Sequence, residues 1–184
     1  MSHSPANQDS PQMEDNSDVL AFPASPSQEA FFYLEQLFPA YPAFNVPVRF
    51  RLEGVLDTSL MRRAFEALAE RHEGMRTRFL EEEGQLLQII DPPSAVVFPV
   101  IDISHLEGPD QDAEIDRLGS AEAREPFDLS TSPLFRASLL SCGSDRYILQ
   151  ITIHHSVADG WSIGIMTDDL AEFYNALLGD RAPV

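Results

Sequence analysis

"LFRASLLSCGSDRYILQITIHHSVADGWS", Leu134 to Ser162, is the most regular part of this chain. Two apolar runs, "LFRASLLS" and "RYILQITIH", flank the turn residues "CGSD", a pattern that predicts an antiparallel hairpin. Along the second run Tyr147, Leu149, Ile151, Ile153 and His155 share one parity, and Gln150, Thr152 and His154 share the other. Two adjacent histidines at the end of a strand therefore point to opposite faces, which argues against their chelating one ion. A zinc reading with Asp159 as third ligand also lacks a completing His or Cys cluster, and His3, His72 and His105 stand isolated in the sequence. No metal is expected.

His154 suits a hydrogen-bonded place in the core. His155 differs by its company: Asp159 and Gly160 on a tight turn, then Trp161 and Ser162 before a helix expected from about Ile163. An imidazole held at a strand end by a turn suits proton transfer near neutral pH. Asp159 would orient that imidazole or brace the turn through an arginine.

Working outward, the chain is α/β in character. "SPSQEAFFYLEQLF" predicts a helix capped by Ser25, with Pro26 at its first position, Gln28 completing a capping box, and Phe31, Leu34 and Phe38 on one face. "FNVPVRFRLEG" alternates as a half-buried strand whose Pro47 demands an edge or a bulge. Asp57 caps a helix with Met61, Ala64, Phe65 and Leu68 inward. "MRTRFLE" and "QLLQII" predict two strands joined at Glu83-Gly84, and "VVFPVIDIS" another. Residues 111–124 predict a polar, weakly anchored helix. The final helix buries Met166, Leu170, Phe173, Tyr174 and Leu177. The expected architecture is a mixed-sheet, two-layer α/β sandwich spanning residues 23–184. It follows a disordered polar tail over residues 1–22, rich in Ser, Pro, Asn, Gln and Asp.

Composition narrows the function classes. A net charge of −18 argues against nucleic acid or an anionic membrane as partner. No apolar run approaches the roughly 18 residues of a membrane span, and the N-terminus lacks the basic and apolar regions of a secretory signal. A single cysteine, Cys142, excludes an internal disulfide. The expected compartment is the cytoplasm. All 12 basic residues are Arg, which is taken as composition bias rather than mechanism.

"HHSVADG" matches the HHxxxDG signature of nonribosomal peptide synthetase condensation domains, relatives of chloramphenicol acetyltransferase. "RHEGMRTRF", Arg71 to Phe79, resembles that family's RHExLRTxF motif, with Met75 in place of Leu. The opening "SPSQEAFFYLEQLFPAYPAFNVP", including Gln28 and Asn45, "RLEGVLDTSLMRRAFEALAERHE" and "EPFDLSTSPLFRASLL" extend the resemblance from about Ala24 to Pro183.

The resemblance implies a chloramphenicol acetyltransferase-like N-terminal lobe of an acyltransferase. In the full domain the amine of an acceptor aminoacyl thioester attacks a donor acyl or peptidyl thioester. Both arrive on the phosphopantetheine arms of peptidyl carrier proteins, or the donor comes as an acyl-CoA, and no cofactor is bound directly. His155 would be the catalytic histidine, as base or as positioner of the amine, and the Gly160 amide would face the reacting carbonyl. His154 would support. Asp159 would pair with an arginine of the RHExLRT segment: Arg76 by strand parity, with Arg71 as the alternative. The family's second lobe and one wall of its tunnel have no counterpart in these residues, so the 184-residue chain alone is expected to be inactive. Epimerisation, ester formation and a non-catalytic protein-binding platform are the competing functions; the intact motifs favour condensation.

Overall fold

Ser25 and Gln28 start the first helix as their spacing predicts. The Ser25 amide donates to Gln28 Oε1 at 2.8 Å and the Gln28 amide to Ser25 Oγ at 3.3 Å, with Pro26 in the first turn. The computed structural model describes residues 19–38 and 42–183. In order, its elements are β1 (Leu20–Pro23), α1 (Pro26–Leu37), β2 (Asn45–Glu53), α2 (Thr58–Arg71), β3 (Thr77–Glu82), β4 (Gln85–Ile90), β5 (Val100–Asp102), α3 (Gly108–Arg124), β6 (Phe135–Ser141), β7 (Arg146–His154) and α4 (Gly160–Leu178). A short 3-10 helix, Glu73–Arg76, follows α2.

The hairpin β6–β7 is the centre of a four-stranded sheet ordered β2-β7-β6-β5. β2 lies on its edge in unbroken antiparallel register with β7, so Pro47 takes the edge alternative and no bulge is needed. β5 pairs parallel to β6, making the sheet mixed. A second sheet, β1-β4-β3, is antiparallel. Its β3–β4 turn places Glu83 at φ 52° and Gly84 at φ 80°, the two positive values that a tight right-twisted hairpin turn requires.

The α/β class and mixed sheet are as the sequence predicts. α2 and α4 cover one face, burying Phe65, Leu68, Met166 and Leu170 against Leu149, Ile151 and Ile153. α3 covers the opposite face over Ile148, Leu140 and Ile103, a layer beyond the expected two. α3 is also better anchored than its polarity implies. Buried Gln111 Nε2 lies within 3.1 Å of the carbonyls of Ile103, Leu106 and Cys142. Glu122 accepts from Ser138 Oγ at 2.8 Å and Thr152 Oγ1 at 3.0 Å.

Two boundaries and one buried face differ from expectation. Residues 1–18 of the predicted tail lie outside the described residues, and its last residues join β1, where Leu20–Pro23 pair with Ile90–Leu87. α4 begins at Gly160, because Asp159 supplies the cap one turn early. In α1 the buried side chain is Phe32, packed with Phe79, Leu86 and Leu134, whereas Leu34 and Phe38 are 39% and 60% exposed. The inward stripe of α1 is mostly polar, and apolar periodicity misses it.

Candidate active site

β7 ends at His154, a turn carries His155, Ser156 and Val157, and Asp159 caps α4. Parity persists to the strand end: His154 is fully buried and His155 is exposed. His154 sits among the edges of Phe31, Phe44 and Phe127, with ring centroids 6.4, 6.2 and 6.0 Å away. The Ser156 amide donates to His154 Nδ1 at 3.2 Å, which assigns the ring proton to Nε2. Nε2 then donates to Glu35 Oε1 at 3.2 Å, and Ser156 Oγ lies 2.7 Å from Nδ1. Burial, and secondarily the neighbouring His155, push the His154 pKa down to about 4, so the ring is neutral near pH 7. The same burial raises the Glu35 carboxyl.

His155 is held from two sides. Its amide donates to the Phe44 carbonyl at 2.8 Å, and its ring stacks on Phe31 with centroids 5.1 Å apart and planes at 21°. Gln28 completes the grip: its Nε2 contacts the Ser156 carbonyl at 3.4 Å and Gln88 Oε1 at 3.1 Å. Gln28, Phe31 and Glu35 lie at helical spacing on one stripe of α1 and touch Ser156, His155 and His154 in turn.

The expected ion pair between Asp159 and Arg76 is not formed. Asp159 Oδ1 accepts from the Ser162 amide at 2.8 Å and from Ser162 Oγ at 2.7 Å, bonds that depress its pKa. Arg76 is on the 3-10 helix rather than a strand, so strand parity does not govern where it points. Its guanidinium binds the carbonyls of Ala69 at 2.9 Å, Asp91 at 2.6 Å and Glu70 at 3.3 Å. Arg71, the alternative, lies 3.3 Å from Asp169 of α4. His72, isolated in the sequence, meets the same Asp169 oxygen at 2.7 Å. Asp169 thus fastens the end of α2 to α4. A cleft of about 400 Å³ opens between them, lined in part by His72, Gly74, Val157, Ser162 and Met166.

Among the described residues no group of three or more His, Cys, Asp or Glu side chains is arranged to hold a metal, and no helix is long and apolar enough to cross a membrane.

The family model for the condensation domain matches residues 20–184. The chain belongs to the condensation-domain family. Chondramide synthase cmdD of Chondromyces crocatus is 40% identical over 167 residues, covering 90% of this chain and 4% of that protein. Cyclosporin synthetase simA of Tolypocladium inflatum is 35% identical over 158 residues, covering 86% and 1%. The first condensation domain of the calcium-dependent antibiotic synthetase, solved with a substrate analogue, superposes with a TM-score of 0.82 at 26% identity, covering 90% of this chain and 39% of that one. The starter condensation domain of rhizomide synthetase RzmA shares the fold, with a TM-score of 0.83 at 24% identity, over 90% and 41%. The chain spans a small fraction of the curated synthetases it matches and about two fifths of these solved chains.

Within this condensation domain, the motif histidines come together with residues that the sequence left without a role. Glu35, Ser156 and Phe31 were missed, although Glu35 and Phe31 follow the capping Gln28 at helical spacing. Gln28 and Asn45 carry resemblance in sequence; in the structure Gln28 ties down the turn, and Asn45 Nδ2 donates to the Ala123 and Glu125 carbonyls at the end of α3.

Proposed function

We propose that this condensation-domain lobe supplies the catalytic histidine for amide formation between two carrier-bound thioesters. The acceptor amine attacks the donor thioester carbon, forming the C–N bond. The tetrahedral oxyanion collapses, the C–S bond breaks, and the thiol leaves. His155 holds the amine, accepts its proton as the bond forms, and returns a proton to the departing sulfur. Gly160 is the first residue of α4, exposed and without a neighbour within 4 Å of a built Cβ. Its free amide, at the positive end of the helix, is the donor for the oxyanion. His154, Asp159, Arg76 and Arg71 support this arrangement structurally, by the separate bonds described.

The single observation that carries this reading is the contrast at the end of β7. His155 is open to an approaching substrate while its backbone and ring are fixed by Phe44 and Phe31. The donor is carried on phosphopantetheine of a peptidyl carrier protein or arrives as an acyl-CoA; the acceptor is carried likewise; the compartment is the cytoplasm. A second lobe completes the tunnel, and the 184-residue chain alone is inactive. The bare Trp161, next to Gly160 and 81% exposed, supports this.

The test loads donor and acceptor carriers, adds the two-lobed domain, and follows carrier-bound products by mass spectrometry. Amide appears with the parent and is lost with His155→Ala. Undiminished product with His155→Ala would overturn the assignment.

A further inference from the structure

We propose that Glu35 is a positioning residue of this site, setting the tautomer of His154 and thereby the turn that presents His155. The inference rests on the catalytic reading of His155 for its consequence, though not for its geometry.

A neutral imidazole has one donor and one acceptor nitrogen, and which is which follows from its neighbours. His154 has no solvent contact to fall back on, so each ring nitrogen must find its partner inside the protein. Glu35 Oε1 stands 3.2 Å from Nε2 and, as a carboxylate, only accepts. It therefore demands the proton on Nε2. That leaves Nδ1 with a lone pair, which receives the Ser156 amide at 3.2 Å and the Ser156 hydroxyl at 2.7 Å. With the proton on Nδ1 instead, that nitrogen would face the Ser156 amide donor to donor. The turn would lose the bond that curls it back on the strand end. The Val157 amide closes the same turn onto the His154 carbonyl at 3.1 Å. His155 sits between these anchored residues, so its ring direction follows from theirs.

The place of Glu35 on the helix points the same way. It is one helical stripe along from Phe31, which stacks on His155, and from Gln28, which reaches the Ser156 carbonyl. A carboxylate confined to 13% exposure on that inward stripe costs desolvation, and it spends its hydrogen bond on His154. Packing alone would be better served there by an apolar side chain. A hydrogen-bond acceptor of fixed sense is what Glu35 adds.

Two substitutions of similar size separate these roles. Glu35→Gln keeps an oxygen acceptor, whereas Glu35→Leu keeps volume and removes it. In the 15N-labelled 184-residue chain, long-range proton–nitrogen correlations read the ring tautomers directly. The parent and Glu35→Gln show His154 as one species protonated at Nε2; Glu35→Leu shows mixed tautomers and shifted Ser156 and Val157 amides. In the two-lobed domain, Glu35→Leu lowers kcat about tenfold with KM for the loaded acceptor carrier unchanged, and Glu35→Gln restores most of the rate; a displacement of roughly 1 Å costs about a hundredfold. A single Nε2–H tautomer and full rate in Glu35→Leu would overturn the proposal, as would equal losses in both variants. If Glu35→Leu does not fold, Glu35→Ala takes its place with the same outcomes. Retained activity in His155→Ala would remove the catalytic reading while leaving the tautomer result standing.

Discussion

Gly74 and Val157 touch through their backbones: a Cβ built on Gly74 would lie 2.8 Å from the Val157 carbonyl oxygen. The segment after α2 and the turn after β7 are thus fitted to each other at a place where no side chain intervenes. The obstacle is main chain, so it cannot rotate aside. Gly74→Ala is expected to push the turn that carries His155 and to cost about 1–3 kcal/mol of stability, as overpacked sites do. Thermal melts measure the loss, and the Ser156 and Val157 amide shifts measure the push. A variant that melts like the parent with unmoved amides would contradict the contact.

Asp159 and Arg76 serve separate structures, and their removal should show it. Asp159→Ala loses the cap of α4, and Arg76→Ala loses the contacts that join the Ala69 and Glu70 carbonyls of α2 to that of Asp91 after β4. Both lower Tm, and in the double variant the two losses add, as for sites without a shared partner. Coupling well beyond additivity would restore the ion pair that the geometry denies.

The buried His154 makes stability depend on acid. Its folded pKa of about 4 lies below the ordinary 6.5, so the unfolded chain takes up the proton first. The His154 contribution therefore weakens stability as pH drops from about 6.5 to about 4, by up to about 3 kcal/mol, and is constant below that window. Glu35, facing it from α1, is raised and opposes the trend just above its ordinary 4.5. The depressed aspartates Asp57, Asp102, Asp128 and Asp159 act only as pH falls below their ordinary 3.8. His154→Gln should flatten the Tm profile between pH 6.5 and pH 4. A parent profile already as flat as that variant's would refute the burial cost.

Gly119 sets two effects against each other. Alanine in the interior of α3 gains about 1 kcal/mol in helix propensity. Its Cβ would stand 2.6 Å from Gln150 Oε1 and 2.5 Å from Arg49 Nη2. Arg49 is partly exposed and can swing away, but Gln150 is 3% exposed and bonded to Ser138. The clash wins, and Gly119→Ala lowers Tm; a raised Tm would show that α3 shifts freely.

Much of this fold is legible from spacing. The β6–β7 hairpin, the apolar faces of α2 and α4, and the caps at Ser25 and Asp57 follow from local chemistry, which the fold does not override. The divided histidine pair is legible too, since strand parity survives to His154. What escapes depends on distance in sequence. Glu35 meets His154 across 119 residues, Asp169 meets His72 across 97, and no local pattern announces either. The expected direction of Arg76 extends a strand backward into residues that form a 3-10 turn, and the expected distant partner of Asp159 is replaced by a serine next door. Polar residues on an inward face carry no hydrophobic period, so the working stripe of α1 stays hidden behind its apolar residues.

The grip of α1 on the histidine turn has a consequence for how this lobe matures. The bonds from Gln28 to Ser156 and from Glu35 to His154 close loops of 128 and 119 residues. Contacts that distant raise the contact order and slow the folding of the chain as a whole. A chain that lacks them has only the local bonds of the Ser156 and Val157 amides to His154 to shape the histidine turn. Assembly of the first helix onto the last hairpin therefore completes the seating of the histidine turn.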